Sequence, residues 1–313
     1  ASIDEISLIS AAPVPISGIY TIDNTVATGG SNFASFIDAV NYININGING
    51  ALIFNVTAGQ TFTGTIPVMT ATGTSSNTIL FQRSGAGINP IISSAGTAAS
   101  NEAGIVISGG DYITFDGIDV SISTGSSLEY GFLIRNASAT NGAQNNVIKN
   151  TSITLNRTNT SSVGILQTAS STGGGVTPTN ATGQNNDNKY YNLTIQNSYA
   201  GVFLNGNSSF PDANVEVGVL SGGTTTIGAS YSGTPTGDIG GTSTSTYGIQ
   251  SLNQSGSKIF NCLVRNIATT ATTRGIWVGG ATGTTEIYNN TIQGLRSTST
   301  SSTSGQHGIE ASL

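Results

Sequence analysis

The chain has 313 residues, a formal net charge of −6 at pH 7 and 8% charged residues, against roughly 25% in an ordinary soluble domain. Its nine Lys and Arg residues form no visible cluster in the sequence, which argues against nucleic acid as a partner because phosphate binding needs concentrated positive charge. No apolar run is long enough for a membrane span, and a single cysteine, Cys262, excludes an intrachain disulfide.

Residues 1–50 predict a lead-in strand followed by a capping helix. The apolar residues of the helix recur at intervals of three and four, and Ser31 or Asn32 is expected to cap its start while Gly47 and Gly50 end it. A stack of strands exposes apolar core and unpaired edges at its first rung, so we expect the helix to cover that end. The periodic apolar positions are Phe33, Phe36, Ile37, Val40 and Ile43.

Residues 51–313 predict a repetitive body, which begins with less regular strands near residues 52–56, 61–68, 79–82 and 91–92. A short phrase then returns seven times: a glycine, an apolar residue, a mixed position and a mostly apolar position. This alternation is typical of a strand. The glycines that open the phrase are Gly104, Gly131, Gly164, Gly201, Gly248, Gly275 and Gly308.

A second phrase, apolar-x-Asn-x-x-aliphatic, falls between these glycines, and a looser copy at residues 113–118 carries Phe115 in place of Asn. Asn tolerates left-handed backbone angles at a bend, and its amide can bond to the Asn of the next rung, about 4.8 Å away. Two strands per repeat predict an all-β coil whose rungs stack on one another. The Asn positions are Asn150, Asn192, Asn261 and Asn289.

Two long loop insertions interrupt the repeats, at residues 168–187 and 205–246. Within the second one, residues 215–220 and 224–227 are expected to pair as a small hairpin. The sequence stops three residues after Glu310, inside a fresh copy of the first phrase. We therefore expect the rungs to continue in a longer parent chain, or another chain or domain to cover that end.

Four segments, residues 18–22, 33–45, 50–56 and 112–118, together carry a family resemblance. They resemble the right-handed parallel β-helix of large bacterial surface proteins of the kind exported by the type IX secretion system. The resemblance implies a secreted or cell-surface protein, often a repetitive adhesin or stalk. It supplies no catalytic motif to transfer.

The densest acidic group is Asp111, Asp116 and Asp119. Glycoside hydrolysis uses two carboxyl groups about 5–9.5 Å apart on one open face, and by family analogy a lyase of this fold uses a basic residue beside calcium-binding carboxylates. An enzyme would therefore use Asp116, Asp119, Arg135 and Lys149, and the three aspartates are the calcium candidates. We favour a structural role, with Asp116 in a turn and Asp119 solvated, because no neighbouring rung repeats an acidic pair.

The position two residues after each repeated glycine is predicted to face outward, yet most of its occupants are apolar. An exposed apolar column of this length is normally covered, so we expect the two insertions to fold over it as a second, minor core. The alternative is a stripe that contacts sugars or proteins, with Phe203 and Trp277 as stacking platforms. The members of this outward column are Val106, Leu133, Leu166, Phe203, Gln250, Trp277 and Glu310.

The sequence therefore favours a non-enzymatic extracellular β-helix at the bacterial cell surface, serving as an adhesin, stalk or filament segment. Its expected partners are other copies of itself, further domains of the parent chain, or surface glycans. Two alternatives stay open: a carbohydrate-active enzyme, either a polysaccharide lyase or a hydrolase, and a glycan- or ice-binding module. No cofactor is predicted, apart from calcium at the Asp group. The single histidine, His307, argues against a Ser-His-Asp or multi-histidine metal site.

Overall fold

The backbone winds as a coil whose strands stack in parallel along one axis. The computed structural model describes residues 12–97, 99–122, 127–230, 238–241, 244–280, 282–299 and 304–312. The strands are β1 Ile16–Ile22, β2 Asn32–Phe33, β3 Ile48–Thr57, β4 Thr61–Thr63, β5 Ile79–Ser84, β6 Ile91–Ser94, β7 Ala103–Ser108, β8 Ile113–Asp116, β9 Asp119–Ile122, β10 Tyr130–Arg135, β11 Val147–Thr154, β12 Val163–Thr168, β13 Lys189–Gln196, β14 Ala200–Asn205, β15 Asp212–Ala213, β16 Glu216–Gly218, β17 Thr225–Ile227, β18 Thr246–Leu252, β19 Gln254–Ser255, β20 Lys258–Phe260, β21 Cys262–Thr269, β22 Thr273–Gly279, β23 Glu286–Tyr288, β24 Thr291–Ser297 and β25 Gln306–Ser312. The helices are α1 Phe36–Asn46 and two 3₁₀ turns, η1 Thr172–Gly174 and η2 Ala181–Gly183.

The chain alternates between two sheets, as a coil requires. The smaller sheet has seven strands in the order β7-β10-β12-β14-β18-β22-β25. The larger sheet has sixteen strands, with one row in the order β2-β1-β3-β5-β8-β11-β13-β16-β20-β23 and a second row formed by β4-β6-β9 and β17-β21-β24. Neighbouring strands run parallel in both sheets. The chain is therefore an all-β parallel β-helix, and the predicted fold class is confirmed.

The bend between the two rows of the larger sheet lies at the repeated Asn. Asn150 and Asn192 have φ values of 56° and 53°, in the left-handed region that Asn enters more readily than most side chains. Strands β11 and β13 each cross this bend, so their first halves pair in one row and their second halves in the other. A full rung consequently has three strand segments, because the second phrase spans two of them rather than one.

Apolar side chains from all three segments fill the interior of the coil in one continuous cluster. Part of this cluster is an aromatic column: the ring of Phe81 stacks on Phe54 and on Phe115, with ring centroids 4.6 Å and 4.8 Å apart. These spacings match the distance between neighbouring strands. Neighbouring rungs therefore contact each other here through side chains of the same type at equivalent positions. Cys262 is also buried here, and burial raises the pKa of its thiol to about 12.

Helix α1 covers the first rungs, as predicted, but it begins later than expected. Its N-cap is Ser35, whose side chain accepts a hydrogen bond from the Asp38 amide. The predicted cap residue Asn32 instead lies in β2, with its amide donating to the Val26 carbonyl. Gly47 ends the helix with φ 71°, as predicted. Among the described residues, no helix combines the length and apolar character needed to cross a bilayer.

The two predicted insertions behave differently. Residues 168–187 form a loop that contains η1 and η2. Residues 205–246 contain β16 and β17, each of which pairs in parallel with strands of the rungs before and after it. The predicted hairpin is therefore wrong, because these strands form the larger-sheet part of a rung. The division into residues 1–50 and 51–313, and any continuation of the rungs, stay predictions.

Candidate functional site

A polar pocket of about 380 Å³ lies on the outside of the coil, where the chain bends between β8 and β9. The bend is made by Gly117, with φ 70°, and this residue takes the place that Asn150 occupies in the next rung. Side chains on both sides of a sharp bend splay outward, which leaves room between them. The pocket is lined by Gln82, Arg83, Asn89, Asp116, Gly117 and Asn150.

Asp116 joins two rungs at the wall of this pocket. Its Oδ2 lies 3.0 Å from Nζ of Lys149 in an ion pair, and its Oδ1 accepts a hydrogen bond of 2.6 Å from Nδ2 of Asn150. Both partners come from β11, the next strand in the larger sheet. The structure therefore brings the predicted pair Asp116 and Lys149 together, and it gives both oxygens of the carboxylate a partner in the neighbouring rung.

Asp119 follows Asp116 after the bend and is partly buried. Its Oδ1 accepts hydrogen bonds from Nδ2 of Asn89 and from the backbone amide of Ser152, both at 2.8 Å. Burial raises the pKa of the Asp119 carboxyl, while these two hydrogen bonds and the positive charge of Arg83 act in the opposite direction. Asp119 is thus a bridge between rungs and not the solvated side chain that the sequence predicts.

The other two predicted polar residues lie elsewhere. Asp111 is at the opposite end of β8, where Oδ1 accepts a hydrogen bond of 2.7 Å from the Gln144 amide. Arg135 ends β10 in the smaller sheet, and its Nη1 donates to the Gly173 carbonyl at 2.9 Å. Arg135 therefore belongs to another face of the coil and is not a partner for Asp116 and Asp119.

The calcium candidates are not gathered into one metal site. Within the part of the chain that the structure describes, no group of three or more His, Cys, Asp or Glu side chains is placed to hold a metal ion. Asp111, Asp116 and Asp119 consequently do not form the shared set of carboxylates that the calcium hypothesis requires. Sequence reasoning also missed Gln82 and Asn89, because they reach the pocket from an earlier and irregular rung.

The part of the outward column from Val106 to Phe203 forms a second apolar cluster on the smaller sheet, while cover by the second insertion, residues 205–246, stays a prediction. Leu133 and Leu166 are fully buried in it, and Phe203 packs against it from a partly buried position. The loop 168–187 provides cover: a Cβ added to Gly173 would lie 2.8 Å from Cδ2 of Leu166 and 3.0 Å from Cδ1 of Leu133. The Phe203 ring meets Tyr247 edge to face at 5.6 Å, so Phe203 is largely part of a core.

The same column becomes polar toward the C-terminal end of the coil. The guanidinium of Arg274 lies 4.5 Å from the ring centroid of Trp277, and its Nε donates to Oε2 of Glu310 at 2.7 Å. Nδ1 of His307 lies 3.2 Å from the same carboxylate oxygen. Trp277 is thus a partly buried ring with a cation on one face. The proposed role of Phe203 and Trp277 in ligand binding stays a prediction.

Comparisons with known proteins find only remote structural likenesses. No family model and no curated protein match the chain. Three solved structures with 11–12% identity resemble it. A GH136 lacto-N-biosidase from Eubacterium ramulus has a TM-score of 0.43, and the match covers 94% of this chain and 55% of that chain. An alginate lyase from Paenibacillus sp. has a TM-score of 0.31, with 83% of this chain and 94% of that chain covered, and the surface protein and adhesin PfbA of Streptococcus pneumoniae has a TM-score of 0.26, with 84% and 77% covered in the same order. The chain thus spans about half of the lacto-N-biosidase. Since every TM-score is below 0.5, the fold assignment rests on the strand topology above.

Proposed function

We propose that this chain is a non-enzymatic β-helical segment of a bacterial surface adhesin or stalk, exported by the type IX route, which contacts glycans at the polar pocket. The observation that carries this proposal is the use of the two carboxylates at the bend, Asp116 in the pocket lining and Asp119 beside it. Both oxygens of Asp116 and one oxygen of Asp119 hold neighbouring rungs together. Carboxylates fixed in this way stabilise a rod, whereas a general acid must release and regain a proton at the substrate.

The pocket also offers groups that suit neutral sugars. Nδ2 of Asn89 already donates to Asp119 and to the Asn150 carbonyl, while Gln82 and Asn150 each use one amide N–H within the fold. Arg83, whose Nη1 is fixed by the Gly87 carbonyl at 2.9 Å, and the second N–H of Gln82 can donate to hydroxyl oxygens. A rigid coil holds these groups in place at little cost in conformational entropy, which favours weak but repeated contacts along a surface.

A glycan array combined with a turnover assay on the same polysaccharides tests this proposal. We expect retention of one or more glycan classes without product formation. Arg83→Gln should weaken that retention, while Lys258→Gln, which removes one positive charge at an exposed position outside the pocket, should leave it unchanged. Equal retention by the two variants, or no retention of any glycan by the native chain, would refute glycan contact at this pocket.

A second candidate function is carbohydrate cleavage, and one observation favours it. Asp119 has a raised pKa through burial and lies across the bend from Asp116, which is paired with Lys149. Two carboxyl groups in unlike environments are the arrangement from which acid–base pairs are built. Product formation that is lost in Asp119→Asn, while glycan retention and the unfolding midpoint are kept, would establish this function in place of the first.

A further inference from the structure

The polar pocket lies where a ladder of bend asparagines is interrupted. Asn192 donates a hydrogen bond through Nδ2 to Oδ1 of Asn150 in the rung below. One step further down, Nδ2 of Asn150 donates to Oδ1 of Asp116 at 2.6 Å, because the residue level with Asn150 is Gly117. Asp116 thus supplies the acceptor that an asparagine at position 117 would supply, and the space of that side chain is left open at the bend.

Two side chains from the preceding rung flank this open space. A Cβ added to Gly117 would lie 3.2 Å from Oδ1 of Asn89 and 3.2 Å from Cβ of Arg83. A side chain at position 117 would therefore stand directly against both residues. With glycine there, Asn89 and Arg83 instead line a pocket of about 380 Å³.

Asn89 presents an acceptor to this space. Its Nδ2 uses both hydrogens within the fold, donating to Oδ1 of Asp119 at 2.8 Å and to the Asn150 carbonyl at 2.9 Å. These two bonds fix the orientation of the amide, so that Oδ1 is the atom beside Gly117. Among the described residues, no donor is bonded to this oxygen. Asn89 Oδ1 is consequently available to a hydroxyl group.

Arg83 presents donors to the same pocket. Its Nη1 donates to the Gly87 carbonyl at 2.9 Å, which holds the guanidinium group in place. A guanidinium has five N–H donors, and within the part of the chain that the structure describes Arg83 makes no second hydrogen bond. Several of its N–H groups therefore remain free to donate to a ligand.

The charges at this bend balance, which decides between a neutral ligand and an anion. The positive charge of Arg83 acts on Asp119, and Lys149 is paired with Asp116 at 3.0 Å. A hydroxyl group both donates and accepts hydrogen bonds, whereas an ionised carboxylate only accepts them. A carboxylate here would leave Oδ1 of Asn89 without a donor and would lie near Asp116. The pocket therefore favours neutral hydroxyl groups.

We propose that Gly117 opens the polar pocket to one ring of a neutral sugar, which binds through two adjacent hydroxyl groups. One hydroxyl donates to Oδ1 of Asn89, and its neighbour accepts from the guanidinium of Arg83. A volume of about 380 Å³ is near the lower end of the range of roughly 300–1,000 Å³ for small-molecule sites, which suits a single ring. This inference rests on the proposed function and adds the class of sugar, the bonded groups and the residue that admits them.

Ligand-observed NMR titrations of the native chain test these contacts. The probes are the methyl glycosides of glucose, galactose and mannose, followed by the mono-deoxy derivatives and the uronic acid that correspond to the glycoside that binds. We expect loss of either of two adjacent hydroxyls to weaken binding roughly two- to tenfold, the range for one ordinary hydrogen bond. Loss of the other hydroxyls should change the affinity less. Tighter binding of the uronic acid, or equal binding of all deoxy derivatives, would overturn the inference.

Two asparagine substitutions locate the entrance of the pocket. Gly117→Asn keeps the left-handed backbone, as Asn150 does with φ 56°, and fills the space beside Asn89 and Arg83. It should weaken binding of the glycoside at least roughly tenfold, since both hydrogen bonds are lost. The matched control Gly222→Asn also places asparagine at a positive φ, 81°, but nothing lies within 4 Å of an added Cβ there, and it should keep the native affinity.

The outcomes separate this inference from the proposed function. Native affinity in Gly117→Asn, or no binding by any of the three glycosides, would overturn the inference. If glycans were still retained on the array and lost in Arg83→Gln, the proposed function would stand without it. The deoxy derivatives are measured on the native chain, so they decide the contacts with Asn89 and Arg83 even where Gly117→Asn does not fold.

Discussion

Asn192 and Asn150 are joined side chain to side chain, with Nδ2 of Asn192 donating a hydrogen bond of 2.9 Å to Oδ1 of Asn150. Both residues have left-handed backbone angles at the same corner of successive rungs. The chain of bonds continues downward from Asn150 to Asp116 and upward from the Leu220 amide to Asn192. One residue type thus makes the bend and links the rungs across it.

Substitutions of Asn150 should separate the contribution of the left-handed bend from that of the side-chain hydrogen bonds between rungs. Asn150→Gly keeps the positive φ but loses the side-chain bonds, and we expect a loss of about 1 kcal/mol in the free energy of unfolding. Asn150→Ala keeps a Cβ in the left-handed region without the polar group that lets Asn tolerate it, so it should be less stable than the glycine variant by roughly 1–2 kcal/mol. Urea unfolding followed by circular dichroism measures both. Equal stability of the two variants would show that the backbone angle at this corner is unimportant.

The aromatic column gives a sharper prediction for the core. Phe81 is fully buried between Phe54 and Phe115, so Phe81→Ala should lower the free energy of unfolding by about 3–5 kcal/mol through lost contacts and a cavity. The matched control is Tyr288→Ala. Tyr288 also stacks on a ring, that of Phe260 at 5.3 Å, but it is 40% exposed, and its loss should cost about 1 kcal/mol or less. Similar costs at the two positions would contradict the continuous core.

The coil itself could be predicted because its signals are local and repeated. A glycine is the second or third residue of each strand of the smaller sheet, and a Cβ on Gly131 would lie 2.5 Å from Cγ2 of Ile153 in the facing strand. The bend Asn is required by a positive φ, as at Asn261 and Asn289. The strand and the turn of a rung can therefore be predicted from the residues of that rung alone.

Two kinds of feature could not be predicted from the repeated sequence pattern. The rung at β16 and β17 has a longer connection in place of the bend Asn, so its strands look like an unrelated hairpin, although Val217 and Ile227 are fully buried in the common core. The polar pocket brings Gln82 and Asn89 beside Asp116 and Asn150 of later rungs, and which rungs face each other is fixed only once every strand is placed. Contacts between distant rungs follow from the register of the whole coil, which no single repeat reveals.

The interior of the coil also holds a buried acid, Asp212, and this predicts a dependence of stability on pH. Its Oδ2 accepts a hydrogen bond of 2.7 Å from Gln167 Nε2, and its Oδ1 accepts one of 2.8 Å from the Asn185 amide. Burial nevertheless raises the pKa of Asp212 from 3.8 to about 6. The folded state thus binds the proton more tightly than the unfolded state does.

The stabilisation from this proton is full below about pH 4 and is lost as the pH rises to about 6. At 1.36 kcal/mol per unit of pKa, the loss is on the order of 3 kcal/mol. Urea unfolding at several pH values, compared with the variant Asp212→Asn, isolates the effect, since the amide does not titrate. The native chain should lose stability relative to the variant between pH 4 and pH 6, and parallel curves would refute the assignment.

The cover over the second apolar cluster can be tested through a pair of glycines. Gly173 and Gly222 both have positive φ, 71° and 81°, so alanine at either position carries a similar backbone cost of roughly 1–2 kcal/mol. They differ in surroundings: a Cβ at Gly173 would strike Leu166, whereas nothing lies within 4 Å of one at Gly222. Gly173→Ala should therefore lower the free energy of unfolding further than Gly222→Ala does, and it should speed proteolytic cleavage within residues 168–187 by lifting the loop from Leu133 and Leu166. Equal unfolding free energies and cleavage rates would mean that this loop does not cover the cluster.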